Sequence, residues 1–364
     1  MTRYVIFLGA GASAAEGAPV QHDLFTTYFA GVGAEPGKVP ASREVANFFQ
    51  VAFGIDVADL PSSRPLPTFE EVLGLIDLAM TRRESLHGVP LDTPDVDGLD
   101  LRSLRRSLVL VMADAIRRRV VETPTIHRDL VAKLRDGGRL QETSFITTNY
   151  DTLIDDALYD HAVSPGVSSV GPAVDYGFEA LGPRADPGSR KRISINLLKV
   201  HGSLNWLHCP ACTDLVVTHG PDIVARLLHD IETARCTHCD TMREPVIVPP
   251  TYYKDLSNVY LGVVWNRAAR VLRECSHLIF CGYSLPDADM HIKYLVKTGQ
   301  MNRLAVQDRL RITLVNHHPA KKQPAQDQEI ERYRRLFGEA VVDARLSFED
   351  FALDPGAIVG RPRH

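Results

Sequence analysis

A short apolar run ends abruptly in polar residues at positions 145–151, FITTNYD. Phe145 and Ile146 are typical of the end of a buried strand, and hydroxyl, amide and carboxylate side chains follow them, including Asn149 and Asp151. Ligands of open α/β sheets bind outside the carboxyl ends of the strands. An amide can orient water there, and a carboxylate can stabilise developing positive charge. The stretch therefore predicts a ligand site that can perform chemistry.

A glycine-rich turn follows the first apolar run, YVIFL. It fits the pattern G-x-G-x-x-[GA], in which the first glycine permits a tight turn and the second lets the backbone approach a pyrophosphate. The turn comprises Gly9, Ala10, Gly11 and Ser13. A dinucleotide dehydrogenase would also have a second strand ending in an acid about 20 residues later, which the stretch LFTTYFAGVG lacks. The turn therefore predicts a bound nucleotide, but not one bound as in a hydride-transferring dehydrogenase. A tight turn that binds no ligand is the alternative.

Three further apolar runs read as strands. NLLKV is followed by His201, which can act as a general base at a strand end, with a structural histidine as the alternative. HLIFC leads into a glycine-containing turn after Cys281, and RITLV is a further strand. Polar or glycine-rich turns thus follow Leu8, Ile146 and Cys281, and such a cluster is typical of a nucleotide crevice.

Four of the six cysteines form two C-x-x-C pairs, separated by 23 residues. They are Cys209, Cys212, Cys236 and Cys239. Two such pairs suit a tetrahedral zinc thiolate site with no open position, so we predict one structural zinc ion. Four free cysteines are the alternative, and a nearby histidine such as His208 or His238 is an alternative ligand. Cys275 and Cys281 are expected in the core.

The elements that must position these residues alternate between apolar strands and amphipathic helices. This alternation predicts a Rossmann-like α/β fold, a parallel sheet with helices on both faces. A helix is expected from the glycine turn to about Phe29, and further helices over 68–84 and 99–121. The expected division is a Rossmann-like domain of residues 1–32, 141–208 and 244–353, a helical insertion or cap of 33–140, a zinc ribbon of 209–243 and a loose tail of 354–364.

Composition narrows the function classes. The chain has 364 residues, a net charge of −4 and a pI of about 6.4, so no overall electrostatic attraction to nucleic acid is expected. Arginine clusters at 102–106 and 117–119 predict a solvated helix face or a partner surface. No run of 18 apolar residues exists, and the N-terminal run is too short for a signal peptide, so a cytoplasmic protein without a membrane span is expected.

The order of the motifs resembles the sirtuin superfamily: GAGAS, TTNYD, a strand ending in HG, a double C-x-x-C, G-x-S and a strand ending in VN. The resemblance covers most of residues 4–351, apart from the helical stretch at about 33–140. TTNYDTLI, KVHGSLNW, VIVPPTYYKD and CGYSLPDADMHI are similar to the bacterial sirtuin-like branch of antiphage defence proteins, more than to the protein-deacetylating branch.

The resemblance implies that NAD⁺ is the substrate. Asn149 and Asp151 would lie beside the nicotinamide and its ribose, and His201 would contact the ribose hydroxyls. The phosphates would lie along Gly9, Ala10, Gly11 and Ser13, and the adenosine side would contact Gly282, Ser284 and Asn316.

Two departures from the deacetylases favour water as the nucleophile, which would give ADP-ribose and nicotinamide. Residues 17–22, GAPVQH, replace an Asp-Phe-Arg segment, and residues 249–252, PPTY, replace the Phe-Gly-Glu stretch that pairs with a peptide. Proline lacks the N–H that such pairing needs. A protein deacylase or ADP-ribosyltransferase and a non-catalytic NAD or ADP-ribose sensor are the alternatives.

An unregulated NAD⁺ hydrolase would harm its host, so its activity is expected to be gated. A homo-oligomer or a separate partner would provide the gate, and the resemblance suggests a HerA-type ATPase or a short Argonaute. Residues 33–140 are expected to cover the crevice and to contribute to the gating interface. A packed helical extension with solvated arginines is the alternative.

Overall fold

The computed structural model describes most of the chain. The described ranges are 2–32, 40–59, 65–86, 89–91, 100–120, 124–163, 173–178, 194–218, 235–249, 258–287, 289–302, 310–317 and 323–360, without the side chains of 30–32, 40, 160–163 and 173. Pro250–Tyr252 of the predicted peptide-pairing departure lie outside these ranges.

The strands form two sheets. They are β1 (Tyr4–Leu8), β2 (Thr143–Thr147), β3 (Ala173–Asp175), β4 (Ser194–Lys199), β5 (Gly202–His208), β6 (Leu215–Val217), β7 (Glu244–Ile247), β8 (His277–Cys281), β9 (Arg311–Val315) and β10 (Val342–Asp343). The larger sheet has seven strands in the order β10-β9-β8-β1-β2-β4-β3, all paired in parallel. The smaller sheet is antiparallel, β6-β5-β7. The predicted parallel α/β fold is confirmed.

Helices connect and flank these strands. They are α1 (Ala10–Ala14), α2 (Leu24–Val32), α3 (Pro40–Phe53), α4 (Phe69–Arg82), α5 (Leu101–Arg119), α6 (Ile126–Asp136), α7 (Leu153–Val163), α8 (Val259–Glu274), α9 (Met290–Met301), α10 (Gln323–Phe337), α11 (Phe348–Leu353) and α12 (Gly356–Val359). In the part of the chain that the structure describes, no helix is long and apolar enough to cross a membrane.

The first helix differs from the expectation. A single helix to about Phe29 was predicted, but α1 ends after five residues and α2 begins only at Leu24. Gly17 between them has φ +89°, a left-handed conformation that a continuing helix does not contain. Pro19 follows and has no N–H to donate to a helix.

The buried apolar side chains form two clusters. One surrounds the seven-stranded sheet. The other lies among α2, α3, α4 and α5. It also includes the side chains of Tyr150 from the turn after β2, Leu204 from β5 and Ile247 from β7. The cluster formed with α3, α4 and α5 is therefore continuous with the turn after β2 and with β5 and β7. In contrast, α6 packs into the cluster around the seven-stranded sheet, although it lies within the predicted helical insertion.

Arg105 of α5 departs from the predicted free arginine surface. Its side chain is only 16% exposed. Its Nε donates to Asp77 of α4 at 2.7 Å, and one terminal nitrogen donates to the carbonyl of Ile247 in β7 at 2.7 Å. Arg105 therefore links α5 to α4 and β7 inside the protein, whereas Arg102 on the same helix is exposed.

The end of the described chain is packed. Val359 of α12 is 3% exposed within the sheet core, and Nε of Arg139 donates to the carbonyl of Gly360 at 3.2 Å. The part of the predicted loose tail before residue 361 is therefore held against the domain, and residues 361–364 lie outside the described ranges. The domain boundaries otherwise stay a prediction.

Candidate functional site

Five strand ends meet at one edge of the parallel sheet. β1 is central, between β2 and β8, with β4 and β9 beyond them. Because all five run in the same direction, the residues that follow them share the carboxyl edge. This edge carries the Gly9 turn, Asn149, His201, the Gly282 turn and Asn316. The sheet order thus gathers the predicted site residues at one edge.

Ser13, Asn149 and Asp151 form a hydrogen-bonded cluster at the centre of this edge. Nδ2 of Asn149 lies 2.8 Å from Oγ of Ser13 and 2.9 Å from the carbonyl oxygen of Gly9. The hydroxyl of Ser13 donates to Oδ2 of Asp151 at 2.6 Å. Oδ1 of Asp151 accepts from the N–H of Leu153 at the start of α7. The amide of Asn149 therefore connects the ends of β1 and β2.

A buried lysine supports the turn that carries this cluster. Lys199, fully buried at the end of β4, donates from Nζ to the carbonyl of Asp151 at 2.5 Å and to Oδ2 of Asp155 at 2.8 Å. Asp155 also accepts from the hydroxyl of Tyr176 at 2.7 Å. Burial, with the adjacent Asp155 carboxylate, raises the pKa of Tyr176 well above its usual value. A buried lysine is tolerated because its charge is paired and hydrogen-bonded.

His201 lies two residues beyond Lys199 and is 2% exposed. Its Nε2 is 3.6 Å from Oδ1 of Asp289, which is also 2% exposed. Oδ2 of Asp289 accepts from the hydroxyl of Tyr283 at 2.6 Å. The ring of Tyr150 lies 6.3 Å from the His201 ring, and its hydroxyl donates to the carbonyl of Val248 at 3.1 Å.

The two glycine turns interlock. The N–H of Gly11 donates to the carbonyl of Gly282 at 2.8 Å. A Cβ on Gly9 would lie 2.6 Å from the carbonyl oxygen of Gly282, and one on Gly11 would lie 2.8 Å from its Cα. Gly282 has φ +64°, and a Cβ there would be 2.2 Å from the backbone nitrogen of Ala12. These glycines are therefore required by backbone contact between two turns, a reason that differs from the predicted approach of a pyrophosphate.

Asn316 and Ser284 contact the same second turn. Asn316 accepts from the N–H of Tyr283 at 3.2 Å and donates to its carbonyl at 2.6 Å and to Glu329 at 2.9 Å. Ser284 is exposed, and its carbonyl accepts from Arg332 at 2.9 Å. In the structure Asn316 thus holds the backbone of Tyr283, and the predicted adenosine contact stays a prediction.

The four predicted metal ligands come together beside the smaller sheet. Their sulfur atoms all lie within 4.8 Å of one another, a spacing that suits sulfur ligands at about 2.3 Å from one zinc ion. Thr213 and Asp240, each directly after a C-x-x-C pair, have φ +61° and +57°, so the two turns share one geometry. The residues present fit a closed zinc thiolate site.

A separate cleft of about 1240 Å³ lies between α4 and β7. Its wall includes Glu70, Asp77, Glu244 and Val248. The candidate catalytic residues do not line it, but Val248 accepts the Tyr150 hydrogen bond and so connects the two regions.

Sequence reasoning missed Lys199, Tyr283 and Asp289. All three lie inside the stretches KVHG and GYSLPDAD, which carry the resemblance. Lys199 ends an otherwise apolar strand, and a charged residue in such a strand signals a buried partner. No local signal pairs Asp289 with His201, because their proximity arises from the sheet order.

Comparison with known proteins gives a domain match and a likeness to solved structures of low sequence identity. The model of the SIR2-like domain matches residues 143–333, just over half of the chain. A structure of Sir2 with the inhibitor EX-527, 2′-O-acetyl-ADP-ribose and a deacetylated p53 peptide shares 14% identity, with 98% of this chain and 94% of that chain covered and a TM-score of 0.41. A structure described under the mechanism and regulation of Sir2 enzymes shares 15% identity, with coverages of 98% and 92% and a TM-score of 0.42. No curated protein matches the sequence. On the domain match, the chain belongs to the family of proteins with a SIR2-like domain.

Proposed function

We propose that the protein is an NAD⁺ hydrolase that cleaves the bond between nicotinamide and ribose. A SIR2-like domain fits NAD-dependent activity. The observation that carries the narrower proposal is the hydrogen-bonded cluster of Ser13, Asn149 and Asp151, with His201 buried at the neighbouring strand end.

The reaction needs charge stabilisation and a proton acceptor. The C1′–N bond breaks with its electron pair leaving on the nicotinamide nitrogen, and positive charge develops at C1′. A water oxygen bonds to C1′ and loses one proton to His201, which later passes it to solvent. NAD⁺ and water thus give nicotinamide, ADP-ribose and one proton. The Asp151 carboxylate supplies negative charge, and the amide of Asn149 orients the ribose or the water.

NAD⁺ would extend from this cluster toward the Gly282 turn. Gly9, Ala10, Gly11 and Ser13 would follow the phosphates, and Gly282, Ser284 and Asn316 would face the adenosine side. The zinc ion would stabilise the fold without a part in the chemistry, because four thiolates leave no position for water.

The choice of water over an acyl-lysine rests on the sequence departures at residues 17–22 and 249–252. Gly17 supports the first, because its left-handed backbone ends α1 where a deacetylase would continue with Asp-Phe-Arg. A protein deacylase, an ADP-ribosyltransferase and a sensor remain the competing functions.

The proposed setting is a gated effector of bacterial antiphage defence in the cytoplasm, a homo-oligomer or a complex with a HerA-type ATPase or a short Argonaute. The helices of residues 33–140 would carry part of the gate. Because Arg105 pairs with Asp77 and is largely buried, the gating surface is better tested at exposed Arg102. Arg102→Glu should change the assembly size in light scattering or the NAD⁺ turnover; if neither changes, the helices are structural.

Product analysis tests the reaction. The purified protein is incubated with NAD⁺, with and without an acetylated peptide, and the products are separated by chromatography. Nicotinamide and ADP-ribose formed without peptide support the proposal. Turnover only with peptide, with an acylated ADP-ribose, would identify a deacylase. ADP-ribose bound to protein would identify a transferase, and binding without turnover a sensor.

A further inference from the structure

We propose that Asp289 is the positioning residue for His201: its carboxylate sets the orientation and charge of the imidazole, and the hydroxyl of Tyr283 holds that carboxylate in place. The inference rests on the proposed hydrolysis for its catalytic meaning only. The physical interaction can be measured without turnover.

Two contacts connect the three residues in series, from Tyr283 through Asp289 to His201. The hydroxyl of Tyr283 donates to one oxygen of Asp289 at 2.6 Å, and the other oxygen lies 3.6 Å from Nε2 of His201. They come from three elements: the turn after β8, the start of α9 and the turn after β4. The carboxylate of Asp289 faces the Nε2 side of the imidazole and so favours the tautomer that carries a proton there. A separation of 3.6 Å is an ion-pair distance, and catalytic contacts are often long without substrate.

Burial makes the carboxylate effective. The side chains of His201 and Asp289 are each 2% exposed, so water screens their interaction weakly. The backbone of Tyr283 is itself held by Asn316 and by the hydroxyl of Tyr333, which donates to its carbonyl at 2.5 Å. Burial, together with the adjacent Asp289, raises the pKa of Tyr283 well above its usual value, so its hydroxyl stays a proton donor.

Other titratable and charged groups lie near His201 and Asp289. Tyr150 faces the His201 ring from the turn after β2, and Asp151 follows it in the same turn. Glu70 and Asp77 of α4 and Arg105 of α5 act electrostatically on Tyr150. Among these, Asp289 is the carboxylate within ion-pair distance of the imidazole.

The direct test is the pKa of His201, followed by histidine NMR in isotope-labelled full-length protein and assigned with His201→Gln. Asp289→Asn keeps the shape but removes the charge, so the His201 pKa should fall by about one unit or more. Tyr283→Phe should change the same signal in the smaller degree expected of an indirect contact. Asp287→Asn is the control, because its side chain is 80% exposed on the same segment and pairs with Lys293 instead.

Activity gives the second readout. Asp289→Asn should lower kcat by about 10²-fold with little change in KM, since a general base contributes about 10²–10⁴-fold. The acid limb of the pH–rate profile should move to lower pH, and Asp287→Asn should match the wild type. Thermal melting of each variant shows that it is folded. If Asp289→Asn is unfolded, Asp289→Glu, which keeps the charge, provides the variant for both measurements and should retain a near-wild-type His201 pKa.

The outcomes separate the two proposals. A protein with no NAD⁺ turnover but with a His201 pKa that depends on Asp289 would refute the proposed hydrolysis and support the positioning role of Asp289. A folded Asp289→Asn variant with an unchanged His201 pKa and an unchanged pH profile would overturn the positioning role, whether or not the protein hydrolyses NAD⁺.

Discussion

The contact between the two glycine turns predicts a large and specific effect of one methyl group. Gly282→Ala places a Cβ 2.2 Å from the nitrogen of Ala12 and 2.5 Å from the carbonyl carbon of Gly11. Both neighbours are backbone atoms, so no side-chain rotation relieves the clash. Gly54→Ala is the matched control, because Gly54 has φ +61° against +64° at Gly282, and no atom lies within 4 Å of its added Cβ.

The magnitudes follow from two terms. A left-handed alanine costs about 1–2 kcal/mol at either position, and forcing an extra methyl into packed atoms costs a further ~1–3 kcal/mol. Gly282→Ala should therefore destabilise the fold by about 2–5 kcal/mol and Gly54→Ala by about 1–2 kcal/mol. The shift also displaces Gly11 and the adjoining Ser13, so NAD⁺ affinity should fall in Gly282→Ala alone.

Urea unfolding at fixed zinc concentration, followed by fluorescence of Trp206 and Trp265, measures the free energies of unfolding. Calorimetric titration with NAD⁺ measures affinity. Equal destabilisation by the two substitutions, with NAD⁺ affinity unchanged in both, would refute the interlock as a requirement of the site.

The other predictions concern the cluster, the metal, acid stability and the helical segment. Asn149→Ala and His201→Ala should each abolish nicotinamide release in variants that circular dichroism shows to be folded, and His201→Ala should also melt at a lower temperature because it removes a buried partner of Asp289; wild-type rates in both would contradict the assignment. Cys236→Ser should lower zinc content in elemental analysis and lower stability, and a metal-bound water seen by spectroscopy would contradict a closed site. Burial, then the charge of Arg311, lowers the pKa of His277 from 6.5 to about 4. Between pH 6.5 and pH 4 the unfolded chain binds the proton and the native state does not. The free energy of unfolding should therefore decrease as the pH is lowered through that window, by up to about 3 kcal/mol. His277→Gln should flatten this dependence in melting experiments, and an unchanged slope would be evidence against it. Arg105→Ala should cost about 2–4 kcal/mol because it removes the ion-pair partner of partly buried Asp77, whereas Arg119→Ala, at an exposed position of the same helix, should stay within about 0.5 kcal/mol; equal effects in urea unfolding would contradict the structural role of Arg105.

Local sequence patterns determined the elements and their chemistry. Continuous apolar runs placed the central parallel strands, and helical periodicity placed α4 and α5 within a few residues. The two C-x-x-C pairs specified a thiolate cluster because the ligand spacing lies in the sequence itself. Polar residues after the strands marked the carboxyl edge, since every parallel sheet places its ligands there.

Only the tertiary structure decided which of these residues touch. The order β8-β1-β2-β4 brings Asp289 to His201 and presses the Gly282 turn onto Gly11. The packing of α5 against α4 and β7 turns Arg105 inward to Asp77 and Ile247, although its helix pattern alone is compatible with a solvated arginine. The physical reason is that periodicity and turn chemistry act over a few residues, whereas these contacts depend on strand order and on packing between distant segments. Residue types therefore suggest the proposed reaction at the strand edge, and the fold places Asp289 beside His201, its proposed proton acceptor.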